Sequence, residues 1–142
     1  MGKFHGSTRA KLEDNGRLSL PKKIYYAIDE AERDEVYLTI ENNECILAYT
    51  KSGWEERLGN PFMQGFEENS EILRKVRKLE RRLKLVKIDK MGRFYLPMEL
   101  KDEAGIGREI EILGTTTRFE IWSPPKLDAY ENGTESSINP EK

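Results

Sequence analysis

The chain has 142 residues, 37% of them hydrophobic and 35% charged, with 24 Lys and Arg against 26 Asp and Glu. That is one domain's length, or two small modules that share a core. The longest apolar runs, such as Cys45 to Tyr49, fall far short of the ~20 residues a membrane helix needs, which excludes a helical membrane span. One cysteine and one histidine can neither staple a fold nor build a zinc site, so packing must supply the stability. The first seven residues show no apolar signal core, and a cytosolic protein without a structural metal or other cofactor is expected.

In chain order, a first strand is expected to lead into Glu13-Asp-Asn-Gly-Arg-Leu-Ser-Leu-Pro21, a tight turn followed by a short strand. Pro21 opens one or two helical turns at a permitted first-turn position. Glu35 to Glu41 and Cys45 to Tyr49 read as strands around the turn-rich Asn42-Asn43, and Trp54 to Leu58 as a short amphipathic stretch. Residues 67–86 are predicted to be the connecting helix. Ile72, Val76, Leu79 and Leu83 fall at i, i+4, i+7 and i+11, a narrow apolar seam with Arg and Lys on the other faces. That helix either docks on the β-core as a connector or also meets DNA or a neighbouring subunit. Then comes Asp89-Lys-Met-Gly-Arg-Phe-Tyr-Leu-Pro97, followed by a proline-opened helix and strands at Glu109 to Leu113 and Phe119 to Trp122. A stretch from Lys126 to Tyr130 closes the pattern, and residues 131–142 are polar and aperiodic, expected to be disordered.

The second half therefore repeats the first. The acid, Gly-Arg, apolar residue and Leu-Pro recur at an offset of 76 residues, and each half reads strand, Gly-Arg turn, strand, short helix, strand, turn, strand. Four short strands are too few to bury a core alone. Residues 1–66 and 87–130 are expected to be two halves closing one mixed, barrel-like β-structure about a pseudo-two-fold axis. The fold class is mainly β with short helices. Two independent modules are the alternative.

Charge is segregated along the chain. Residues 1–25 carry six basic residues against two acids, residues 29–56 two against nine, and residues 74–101 eleven against three. Two basic blocks around an acidic one suit either solvated faces or a phosphate-facing surface.

The Gly-Arg turns are the candidate site. Gly16 and Gly92 supply the positive φ a tight turn requires. Glu13 and Asp89 precede Arg17 and Arg93 by four residues, close enough to hold the guanidinium. That arrangement is either a hairpin brace or a buttressed arginine, flanked by Lys11, Lys22, Lys87 and Lys90, aimed at phosphate or a guanine edge. No phosphate-binding loop, zinc-protease or nucleophile-elbow motif is present. A Cys45–His5 catalytic pair has nothing else to support it, and neither an enzyme nor a small-molecule substrate is expected.

Together, Phe4-His-Gly-Ser7, Leu12 to Pro21, Asp89 to Arg93 and Phe119-Glu-Ile-Trp-Ser-Pro124 resemble the MraZ family of bacterial transcriptional regulators. Those proteins are built from two SpoVT/AbrB-like swapped-hairpin halves. The resemblance implies cytoplasmic, nucleoid-associated, sequence-specific binding to double-stranded DNA upstream of the division and cell-wall gene cluster. It also implies ring-shaped homo-oligomers. The family's acid-x-x-x-Arg positions carry over to Glu13/Arg17 and Asp89/Arg93, with Glu13 standing where an aspartate is usual. A protein-interaction scaffold on the same fold, without DNA, is the alternative function.

Overall fold

The computed structural model describes residues 3–42, 44–63 and 70–133. Among the described residues, eight strands and five helices follow one another in chain order. The first half holds β1 (Phe4–Lys11), β2 (Arg17–Ser19), α1 (Lys22–Tyr25), β3 (Glu35–Glu41), β4 (Cys45–Tyr49) and α2 (Lys51–Met63). After α3 (Ser70–Arg81), the second half holds β5 (Lys84–Lys87), β6 (Arg93–Tyr95), α4 (Met98–Glu103), β7 (Glu109–Thr116), β8 (Phe119–Trp122) and α5 (Pro124–Glu131). A single 3-10 turn, Glu30–Glu32, lies between α1 and β3.

The two halves interlock strand by strand. A six-stranded sheet runs β1-β7-β8-β4-β3-β5, and β2 pairs with β6 in a separate two-stranded ribbon. Exchanging the halves reverses the sheet order onto itself. The registers obey the same symmetry. Lys11 faces Glu109 where β1 meets β7, and Lys87 faces Glu35 where β5 meets β3. In the ribbon, Leu18 faces its own repeat equivalent, Phe94. Each half's first strand thus completes the other half's sheet. Every pairing is antiparallel, so the sheet is not mixed. It does not close into a barrel either, since β1 and β5 remain as edges.

Burial follows the alternation of strand side chains. One core cluster joins Val36, Leu38, Ile40, Ile46, Ile110, Ile112, Phe119 and Ile121 of the sheet to Leu18, Phe94, Ile24 and Leu100 of the ribbon and short helices. The opposite face carries Cys45, Leu47, Tyr49 and Trp122 against Trp54 of α2 and Leu79 of α3. Strand β4 is buried on both faces, which explains why Cys45 to Tyr49 reads as an unbroken apolar run. Both clusters draw on both halves, so the halves share one core.

Three local readings are corrected. Pro21 and Pro97 occupy the cap position just before α1 and α4, not the first helical turn. Their fixed φ of −57° and −59° suits that place, and neither has an N–H to leave unbonded. The connecting helix covers Ser70–Arg81, and Lys84–Lys87 is strand β5, because β3 offers a free edge on which Val36 pairs with Val86. Leu79 is the buried member of the apolar seam, seated over Thr39, whose hydroxyl donates to the Leu79 carbonyl at 2.8 Å. Residues 67–69 and 134–142 lie outside the described residues, which leaves most of the expected disordered tail there; Glu131 belongs to α5.

Candidate nucleic-acid interface

Each Gly-Arg turn is a three-residue hairpin loop. The Glu13 carbonyl accepts from Gly16 N at 2.8 Å and Glu13 N donates to the Arg17 carbonyl at 3.0 Å. Asp89, Gly92 and Arg93 repeat both bonds at 2.9 Å. This is a type I turn closed by a residue in the left-handed region, and Gly16 and Gly92 fill that place with φ of 87° and 80°. The turns are locked to each other: Leu20 N donates to the Gly92 carbonyl at 2.8 Å, and Leu96 N to the Gly16 carbonyl at 2.9 Å.

That lock creates the site. Opposed residues of a ribbon share a face, and successive residues alternate. Leu18 and Phe94 therefore point into the core, 0% and 2% exposed. Arg17, opposite Tyr95, and Arg93, opposite Ser19, share the outward face. Two arginines 76 positions apart in the chain stand diagonally across one three-residue ribbon.

The acids brace these arginines by different means. Arg17 Nε donates to Glu13 Oε1 and Oε2 at 3.2 and 3.3 Å, with Nη2 at 3.1 Å from Oε1. The turn's backbone is held separately, by Asn15 Oδ1 accepting from Arg17 N at 3.1 Å. In the second turn one carboxylate does both jobs. Asp89 Oδ1 accepts from Met91 N and Arg93 N at 2.9 Å each, and Oδ2 takes Arg93 Nε at 2.9 Å. The extra methylene of Glu13 lets its carboxylate meet the guanidinium while Asn15 takes the backbone role. These bonds hold the Asp89 carboxyl below the ordinary 3.8, the backbone N–H of Arg93 contributing most. The hydrogen bond to Glu13 raises the Arg17 guanidinium above its usual value.

The four flanking lysines are exposed but unequal. Lys90 belongs to the second turn, and Lys22 opens α1. The Tyr25 ring of α1 lies against Gly92, where an added Cβ would approach it to 3.3 Å, and its hydroxyl donates to the Lys90 carbonyl at 3.4 Å. Lys11 and Lys87 stand at the ends of β1 and β5, each opposite a glutamate, and Lys11 Nζ is 3.9 Å from Glu109. Arg108, which the linear motif does not include, adds a cation at the first turn by pairing with Asp14 at 3.1 Å. Tyr95 was also hidden, since its place opposite Arg17 depends on a pairing between distant segments.

Among the described residues, no cluster of three His, Cys, Asp or Glu side chains is placed to hold a metal ion. His5 lies on edge strand β1 and Cys45 on β4, three strand spacings away across the sheet and four residues off its level along the strand, so more than about 14 Å apart. Burial pushes the Cys45 thiol far up, so it stays protonated. No helix among the described residues is long and apolar enough to cross a membrane.

Residues 83–142 match a family model described as "MraZ protein, putative antitoxin-like". The chain is 30% identical over 135 residues to a protein of Syntrophobacter fumaroxidans named transcriptional regulator MraZ, covering 92% of this chain and 87% of that protein. The chain belongs to the MraZ family. A protein of the same name from Oleidesulfovibrio alaskensis is 31% identical over 130 residues, 89% of this chain and 84% of its own length. In this MraZ-family chain the Phe119-Glu-Ile-Trp ending has a structural role. Glu120 is buried on β8, where it accepts from Arg118 Nη2 at 2.9 Å and Trp122 Nε1 at 2.8 Å.

Proposed function

We propose that this chain is a transcriptional regulator that binds double-stranded DNA in a sequence-specific manner through the outward face of the β2–β6 ribbon. The observation that carries the reading is the pair of acid-braced arginines sharing that face. A guanidinium already held in place loses less side-chain entropy on binding, and its fork matches the O6 and N7 acceptors of guanine. Lys90 in the second turn and Lys22 at the start of α1, with Lys11 and Lys87 at the ends of β1 and β5, supply charge for phosphates. The relatives' name supports regulation of transcription. Action in the cytoplasm, at the nucleoid, on promoter repeats upstream of division and cell-wall genes is the finer form of the proposal, as is a non-enzymatic role.

Selection of duplexes from a random library, followed by a salt series on the selected site, tests the reading. Log affinity should fall linearly with log salt, at a slope near −0.9 for each phosphate neutralised. Replacing Lys11, Lys22, Lys87 and Lys90 with Gln should flatten that slope and weaken selected and scrambled duplexes about equally. Failure to enrich any duplex would favour the protein-interaction scaffold, since fold alone does not fix function. An unchanged slope in the quadruple variant would move the DNA to another face, with the basic surface of α3 next.

We further propose assembly with copies of itself into a ring-like homo-oligomer. One chain presents only two arginine turns, and linking several raises the effective concentration of each. Light scattering at micromolar concentration should give a multiple of 16.5 kDa; the monomer mass would overturn this.

A further inference from the structure

The ribbon's backbone is nearly symmetric, but its side chains are not. At the repeat offset of 76, Ser19 corresponds to Tyr95 and Lys22 to Met98. Arg17 therefore faces Tyr95, whereas Arg93 faces Ser19. Tyr95 is 57% exposed and Met98 69% exposed. Met98, at the start of α4, lines the same shallow depression as Asn15 and Gly16 of the first turn. Beside Arg17 the outward surface thus carries an aromatic ring, with Met98 near the turn among the charged Asp14 and Arg108. Opposite Arg93 it holds a serine, with the exposed Met91 in the second turn itself.

These two neighbourhoods suit different parts of a duplex. Opposed side chains in a ribbon stand about 5 Å apart at Cβ, comparable with the ~3.4 Å rise between base pairs. Neighbours on the ribbon therefore reach neighbouring base pairs. The thymine methyl is the apolar group that base edges present in the major groove. A phenol ring next to a guanine-reading arginine matches a thymine adjacent to that guanine. Ser19 matches a hydrogen-bonding base edge or a phosphate oxygen.

We infer that Tyr95 is a specificity-determining residue, seating a thymine methyl beside the guanine that Arg17 contacts, so that the two arginine turns of one chain read non-equivalent base-pair steps. The inference rests on the proposed DNA-binding role of this face. It assigns different work to the two turns, which the repeated motif alone makes look alike.

The test selects duplexes with the wild-type chain, then replaces each thymine of the selected site with deoxyuridine, which removes only the methyl group. Wild type and Tyr95→Phe should each lose about fourfold in affinity at one thymine adjacent to a guanine, the worth of a single buried methyl. Tyr95→Ser, which gives both arginines the same neighbour, should bind the thymine and deoxyuridine duplexes equally while still requiring the guanine. Indifference of the wild type to deoxyuridine would overturn the inference, as would equal sensitivity in Tyr95→Ser or a selected site with no thymine beside a guanine. In each of those cases specific DNA binding persists. If the wild type enriches no duplex, the DNA-binding reading itself fails and this assignment falls with it.

Discussion

The double variant Arg17→Ala, Arg93→Ala is expected to lose at least about thirtyfold in affinity for its selected duplex while keeping a wild-type melting curve. Each arginine reading a base edge contributes roughly 1–3 kcal/mol. The two stand diagonally rather than opposite each other, so their losses should nearly add. Stability should change little. Both side chains are partly exposed, 29% and 31% accessible, and ion pairs near the surface contribute about 0–1 kcal/mol. Lysine at the two positions should restore most affinity for scrambled duplex and little for the selected one, because it keeps charge without the planar fork. Equilibrium binding to both duplexes, with circular dichroism melts, checks this. Wild-type binding by the double variant would remove the arginines from the interface, and loss of fold would make the turns structural braces only.

The repeat was the most legible feature, and the structure explains why. An acid, a glycine and an arginine fix a turn through local hydrogen bonds, so the motif carries its geometry within five residues, as Asp89 to Arg93 demonstrates. The repeat also implied a two-fold relation, and the palindromic strand order follows from it. Partner choice was not legible. Nothing local says that β1 joins β7 rather than β3, or that Tyr95 comes to face Arg17. Such pairings come from burial of both faces of a shared sheet. Lys84–Lys87 shows the same limit: the helical seam runs on through Leu83 in the sequence, but the open edge of β3 captures the chain as a strand. Lys11 and Lys87 were expected at the arginine turns on proximity in sequence; Lys11 lies 3.9 Å from the cross-strand Glu109, and Lys87 stands opposite Glu35.

Phe94→Ala should be the most destabilising single substitution in the ribbon, costing about 3–5 kcal/mol. Phe94 is buried and faces Leu18 where the repeat places its symmetry axis, over a core that also includes Ile24 and Leu100. Truncation leaves a cavity at the seam between halves, where neither half can collapse without moving the other. Its neighbour Tyr95 provides the internal control. One position along the strand, on the opposite face, it is 57% exposed, and Tyr95→Ala should shift stability by no more than about 0.5 kcal/mol. Against a typical stability of roughly 5–15 kcal/mol, the Phe94 loss should lower the melting midpoint by about 10–20 °C. The shape of the transition carries further information. Because each half's first strand completes the other's sheet, wild type and Phe94→Ala should both unfold in one cooperative step. Two separate transitions would reveal independent modules, and a loss below about 1 kcal/mol would mean that the ribbon does not pack on the sheet as described.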